Sequence, residues 1–323
     1  MTGLLSLVLL LSAPADPIRF EIAQRIELPV VPAEAKKAQL WIPLPIDVDG
    51  QALLRVDLPA GGRITREPST GNRFLYLEYA KASELPKSLD LRCLVRRSAV
   101  AVDEKSEADH PTPGESLARW VKPEPMFAVN ADLTALTNKL TAGAKSPFAK
   151  GQAFYAHVFD HMTYDKQEPG WGQANVQRAC DVGKGNCTDF HGLFVALCQT
   201  AKIPARLEMG LALPIKDSAA YHCWASFYSD KQGWVPVDVS DARKAVKDPK
   251  SASDEQRFAG FAKLNADRVV YGRGIEVPLA PSGSKPVRFA LSPVLEIDGV
   301  RASGDDPSKG GVKSRWTSTP AKE

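Results

Sequence analysis

Three short segments hold the residue types that acyl transfer through sulfur requires: Gly185-Asn186-Cys187-Thr188-Asp189-Phe190, Tyr221-His222-Cys223-Trp224-Ala225 and Gly233-Trp234-Val235-Pro236-Val237-Asp238. Cys187 follows the flexible run Gly183-Lys184-Gly185-Asn186 and opens a stretch in which Phe190, Phe194, Leu197 and Ala201 recur at helical spacing. A thiol at a helix start faces the positive end of the macrodipole and unpaired N–H groups. Both favour the thiolate, and the same N–H groups can receive the oxyanion of a tetrahedral intermediate. A thiolate needs a partner that takes and returns a proton near neutral pH, and histidine is suited to that. His222 begins one predicted strand and Asp238 ends the next, with a turn at Ser229-Asp230-Lys231-Gln232-Gly233 between them. An antiparallel hairpin would bring these two residues, 16 positions apart (238 − 222), side by side, so that the carboxylate orients the imidazole. The candidate catalytic residues are therefore Cys187, His222 and Asp238.

Other residues near these segments have weaker readings. Trp171, in the loop Gly170-Trp171-Gly172, and Trp224 are candidate substrate contacts; Trp224 and Trp234 also read as core aromatics flanking the site, and Trp171 as a packing residue. Asp189 suits a capping role in the first helical turn, and Arg206 a structural ion pair. His157 and His161, like Cys187 and His191, sit four apart on predicted helices, a spacing that can hold zinc. The run His157-Val158-Phe159-Asp160-His161 lacks the glutamate that follows the first histidine in metalloproteases. No acidic loop suggests calcium and no glycine pattern suggests a nucleotide, so neither a metal nor a cofactor is expected.

The elements that must position the site follow from the hydrophobic patterning. From 18 to 100 short alternating segments, Arg19–Ile22, Arg25–Leu28, Ala38–Ile42, Ala52–Leu58, Phe74–Tyr79 and Leu89–Val95, are separated by prolines and glycines, which predicts a small antiparallel β-sandwich over 16–100. Residues 101–130 are polar and rich in proline and read as a linker. Helical spacing resumes at 131, and strands are expected at Arg206–Leu211, His222–Tyr228, Gly233–Val237, Val269–Tyr271, Val287–Leu291 and Val294–Ile297, with a loop over 241–254. The polar stretch 300–323 is expected to be disordered.

Four motifs, Gly185–Asp189, Ile203-Pro204-Ala205-Arg206, His222–Ala225 and Gly233–Asp238, together resemble the core of the transglutaminase-like superfamily. The resemblance covers 155–240 and extends more loosely to 260–299 and to the N-terminal region, including Trp41-Ile42-Pro43-Leu44-Pro45, which is similar to exported bacterial cysteine proteases with this core. It implies an α+β, papain-like catalytic domain over 131–299 and a thioester acyl-enzyme formed on an amide of a protein or peptide, cell-wall peptide included. The acyl group then passes to water (peptidase or amidase) or to an amine (transglutaminase); a non-catalytic binding module that keeps the fold is the rival reading. Two departures bear on substrate preference: Gln199-Thr200-Ala201-Lys202 stands where relatives often have an arginine and a glycine, and Ser226 where an acidic residue is common.

Composition sets the frame. The chain has 323 residues, 44% of them hydrophobic, enough for two domains with real cores, and a net charge of only +3. No basic run is interleaved with aromatics, which argues against nucleic acid as a partner. Leu4–Leu11 followed by Ser12-Ala13-Pro14-Ala15 fits a signal peptide over 1–15, cleaved after Ala15, and no later stretch is apolar enough for an anchor, so the expected location is periplasmic or secreted. Five cysteines, an odd number, imply at least one free thiol in an exported protein.

Overall fold

The computed structural model describes residues 16–32, 34–106, 116–124, 127, 129–302 and 311–321. The expected leader, 1–15, lies outside the described residues. The N-terminal part contributes β1 (Ile18–Glu27), β2 (Ala38–Leu44), β3 (Gln51–Asp57), β4 (Arg63–Arg66), β5 (Arg73–Tyr79), β6 (Ser88–Arg97) and β7 (Val100–Ala101). The middle holds α1 (Ala118–Val121), α2 (Ala131–Leu140), α3 (Pro147–His161), β8 (Thr163–Tyr164), α4 (Val176–Val182), β9 (Lys184–Gly185) and α5 (Cys187–Thr200). Then come β10 (Ala205–Ala212), β11 (Lys216–Ser218), β12 (His222–Ser229), β13 (Gly233–Val237), α6 (Val239–Lys244), α7 (Asp254–Arg257), β14 (Lys263–Leu264), β15 (Arg268–Arg273), β16 (Val294–Ile297), β17 (Val300–Arg301) and β18 (Lys313–Pro320).

The alternation in β1, with Phe20, Ile22 and Ile26 buried, and in β6, with Leu91, Cys93 and Val95 buried, gives each strand one apolar face. These strands lie in a five-stranded antiparallel sheet of order β11-β18-β1-β6-β3; the second sheet has the order β17-β16-β2-β5-β4. Leu40, Ile42, Leu75 and Leu77 of the second sheet share a core cluster with the inner face of the first. The fold is α+β, with N-terminal antiparallel sheets and a core domain that combines helices with a further antiparallel sheet.

That core domain is a four-stranded antiparallel sheet, β13-β12-β10-β15, with α5 packed against β10 and β12 on one side and α3, α4 and α6 on the other. Asn186 caps α5 through a hydrogen bond from Thr188 N, and Asp189 returns the bond from Asn186 N at 3.0 Å, completing a capping box. Nearly every residue of α5 is buried, the pattern of a helix at the centre of a core. Phe190, Leu193, Phe194 and Leu197 each contribute roughly 1.5–3 kcal/mol through burial. The helix that carries the thiol is thus one of the most firmly held elements of the chain.

Several expectations change. The described part of 101–130 is more than a linker: Ala101 pairs with Lys263 and Trp120 of α1 is fully buried. The stretch 300–323 is not a disordered tail over its described residues. Its β18 pairs with β1 from Phe20↔Pro320 to Glu27↔Lys313 and buries Trp316. Because β16, β17 and β18 return to the N-terminal sheets, those sheets are not built from 16–100 alone. Val287–Leu291 forms an isolated bridge to Val277 instead of a strand, and α6 occupies the start of the expected 241–254 loop. No described helix is long and apolar enough to cross a membrane.

Candidate active site

The structure brings Cys187, His222 and Asp238 together. Cys187 is the first residue of α5, His222 the first of β12, and Asp238 directly follows β13 and caps α6. The pairing Ala225↔Val237 sets Asp238 one step further along, opposite Trp224, so His222 and Asp238 meet diagonally instead of directly. His222 Nε2 lies 2.7 Å from Asp238 Oδ2. The other ring nitrogen is then left for Cys187, with which His222 shares a side-chain hydrogen bond.

Asp238 is held on every side. Its N–H donates to the carbonyl of Gly260 at 2.7 Å, and its Oδ1 accepts from Ser240 Oγ and Asp241 N, each at 3.3 Å. A Cβ on Gly260 would stand 2.1 Å from the Asp238 carbonyl oxygen, so only glycine allows this approach. Arg268 Nε comes within 3.6 Å of Asp238 Oδ2, and its guanidinium also pairs with Asp241, which Lys244 joins.

These contacts set the protonation states. Burial would raise the Asp238 carboxyl, but the charge and hydrogen bond of His222, with the Arg268 guanidinium behind, hold it well below the usual carboxylate range. Burial would lower His222, but Asp238 and the Cys187 thiolate raise it to about 10. A hydrogen bond from Cys223, opposed by burial and reinforced by His222, holds the Cys187 thiol well below its ordinary value of 9.0. Both directions favour a thiolate on Cys187 and an imidazolium on His222. Cys223 itself is pushed well above 9.0, by burial first and then by the neighbouring thiolate, and stays a donor.

Cys187 is only 2% exposed. Around it are polar groups whose part at the nucleophile has no local signal in the sequence. Cys223 donates to the nucleophile, and its sulfur lies 3.7 Å from Thr188 Oγ1. Tyr221, 38% exposed, accepts from Asn186 Nδ2 at 3.3 Å beside the nucleophile. His191, fully buried, bonds the Cys187 carbonyl. Cys223 and Tyr221 flank His222 in the sequence, and His191 is one turn from Cys187. Arg268 and Asp241 lie outside all four motifs and carry no local signal.

Trp171 is partly buried on the loop at Gly172, whose N–H donates to Asp189 Oδ2 at 2.6 Å, which ties that loop to the first turn of α5. Trp224 differs from its reading as a substrate contact: strand alternation turns it into a fully buried cluster with Ile46, Leu264 and Val270, and its indole N–H donates to Glu208 at 2.8 Å. Trp234 is buried, with the Arg206 guanidinium 3.7 Å over its ring and Arg206 paired with Glu208 at 3.0 Å.

The one potential cation cluster among the described residues is His222, Asp238 and Asp241. Its carboxylates already face Arg268 and Lys244, so the donor set is spent on protein cations. His157 and His161 stack at 5.3 Å, and His161 Nε2 is bonded to the Ala179 carbonyl, which leaves that pair no shared metal-facing geometry.

An uncharacterized protein of Haemophilus influenzae is 23% identical over 332 residues, covering 91% of this chain and 90% of its own. The crystal structure of a putative cysteine protease from Cytophaga hutchinsonii has the same fold, with a TM-score of 0.57 at 15% identity over 95% of this chain and 99% of that one. Residues 134–239, the segment that holds Cys187, His222 and Asp238, match the family model of the transglutaminase-like superfamily.

Proposed function

We propose that this protein is a cysteine peptidase or amidase that cleaves an amide through a thioester on Cys187. The observation that carries the reading is the 2.7 Å bond from His222 to Asp238 beside a thiol at the start of a buried helix. The Cys187 thiolate attacks the amide carbonyl carbon, and the tetrahedral oxyanion is received by the Cys187 N–H, which has no acceptor within the helix. The His222 imidazolium gives its proton to the departing amine as the C–N bond breaks. Neutral His222 then takes a proton from water, hydroxide attacks the thioester, and the carboxylate leaves as the thiolate is restored. Asp238 keeps the ring oriented through both halves and stabilises its positive charge whenever it is protonated.

Water is the acceptor in this reading because it needs no dedicated pocket. The Cytophaga neighbour's description as a putative cysteine protease agrees with it. The substrate class is a protein or peptide, cell-wall peptide among them, and the apolar run Leu4–Leu11 followed by Ser12-Ala13-Pro14-Ala15 supports a reaction outside the cytoplasm. The test is incubation with an amide acyl donor, with and without a primary amine, followed by mass analysis of products and of Cys187. Free carboxylic acid in both cases, lost in Cys187→Ala, is expected. An amine-linked product in place of acid would make the protein a transamidase, and hydrolysis undiminished in Cys187→Ala would remove the nucleophile.

A further inference from the structure

His191 is fully buried one turn into α5, and the chemistry above gives it no task. Its partners fix where its proton sits. Nδ1 lies 2.8 Å from the carbonyl oxygen of Cys187, which can only accept, so Nδ1 carries the proton. Nε2 lies 3.1 Å from the N–H of Val239, which can only donate, so Nε2 is the acceptor. The ring is therefore neutral, and protonating Nε2 would break the bond to Val239.

This tautomer matters because Asp238 faces two imidazoles. Its Oδ2 is 2.7 Å from His222 Nε2, and its Oδ1 is 3.7 Å from His191 Nε2. A second imidazolium there would compete with His222 for one carboxylate. The ionisable groups facing His191 are Cys187 of its own helix, Cys223 (3.9 Å) and His222 of β12, and Asp238 at the head of α6. Val239 is also the residue next to Asp238, so the bridge spans from the nucleophile's own carbonyl to the backbone beside the orienting carboxylate.

We propose that His191 is a positioning residue: a neutral, Nδ1-protonated imidazole that pins the first turn of α5 to the start of α6 and leaves the charge of Asp238 to His222. This rests on the acyl-transfer reading, but its tests use the unreacted protein, so the two can fail separately.

The direct measurement is a 15N-histidine correlation spectrum of the unmodified protein near neutral pH. It is expected to show His191 neutral with its proton on Nδ1; an imidazolium, or a proton on Nε2, would overturn the proposal. The second is the iodoacetamide alkylation rate of Cys187, followed by peptide mass. His191→Leu removes both ends of the bridge and is expected to slow alkylation by about tenfold or more, since a misplaced partner costs up to about 10²-fold. In His191→Gln one amide supplies a donor and an acceptor, and the rate should return to near that of the wild type. Equal rates in wild type and His191→Leu, or no recovery in His191→Gln, would count against the bridge. Should His191→Leu not fold, the spectrum and His191→Gln decide. Fast wild-type alkylation without any amide cleavage would remove the hydrolase reading alone.

Discussion

Cys223 is the residue that most changes the picture of the nucleophile. A simple triad would leave the thiolate to His222, yet the strongest influence lowering Cys187 is the hydrogen bond from its neighbour's thiol. Removing that donor in Cys223→Ala costs about 1–2 kcal/mol of thiolate stabilisation, hence roughly tenfold less thiolate below the midpoint. The midpoint of Cys187 alkylation should move up towards 9.0 in that variant; an unmoved midpoint would show that His222 and the helix suffice. At this scale the three principal residues were legible because each sits in a motif with its own local reason: a loop before a helix, a strand start, a strand end. Cys223 and His191 were visible as letters but not as participants. Their parts depend on which way β12 and α5 turn their side chains towards each other, a tertiary fact.

Among the elements, β18 matters most to the site although it lies far from it in sequence. It pairs with β1 on one side and with β11 on the other. Ser318 N–H donates to the Ile215 carbonyl and Ser318 Oγ accepts from Ile215 N, each at 2.8 Å, while Arg315 pairs with Asp217 at 2.7 Å. The segment that leads into Tyr221 and His222 is thereby fastened to the N-terminal sheet. Trp316, 2% exposed, is the anchor. Trp316→Ala should lower unfolding free energy by about 3–5 kcal/mol in urea titration; stability unchanged by the substitution would mean that this strand is detached from the fold. The sequence hid β18 because Lys313-Ser314-Arg315-Trp316-Thr317-Ser318 offers one large apolar residue on its inward face. Polar alternation reads as solvated chain until a partner strand is known. The strands β1, β2, β5 and β6 were legible because their alternation is apolar enough to demand a covered face.

Across the molecule, the site couples folding to pH. His222 is raised from 6.5 to about 10, so the folded chain holds a proton there that the unfolded chain has released. Alone, that stability is full below about 6.5 and is lost as pH rises towards 10. Cys187 has the opposite sign: lowered below 9.0, it gives up a proton that the unfolded chain keeps, so its contribution grows with pH up to about 9.0. The two offset each other while both hold, and wild-type stability should be nearly flat between about pH 6.5 and 9. In Cys187→Ala only the histidine slope remains, and stability measured by urea unfolding should fall across that window. A flat profile in Cys187→Ala would mean that His222 is not held protonated. Asp238 adds stability above about 3.8 that is lost as pH falls into its depressed range. The order of short strands first and helices after them was readable from periodicity. The return of the C-terminal strands into the N-terminal sheets was not, because pairings across almost the whole chain leave no mark in any short window.

All of the proposed chemistry depends on Cys187 resting as a thiolate paired with His222. The most direct test is the pH dependence of Cys187 alkylation by iodoacetamide in the folded wild-type protein, resolved from Cys180 by peptide mass. The rate should rise through a midpoint well below 9.0 and change again only as His222 loses its proton near 10. A rate that climbs only near 9.0, as for an ordinary thiol, or a Cys187 that stays unmodified while Cys180 reacts, would contradict it.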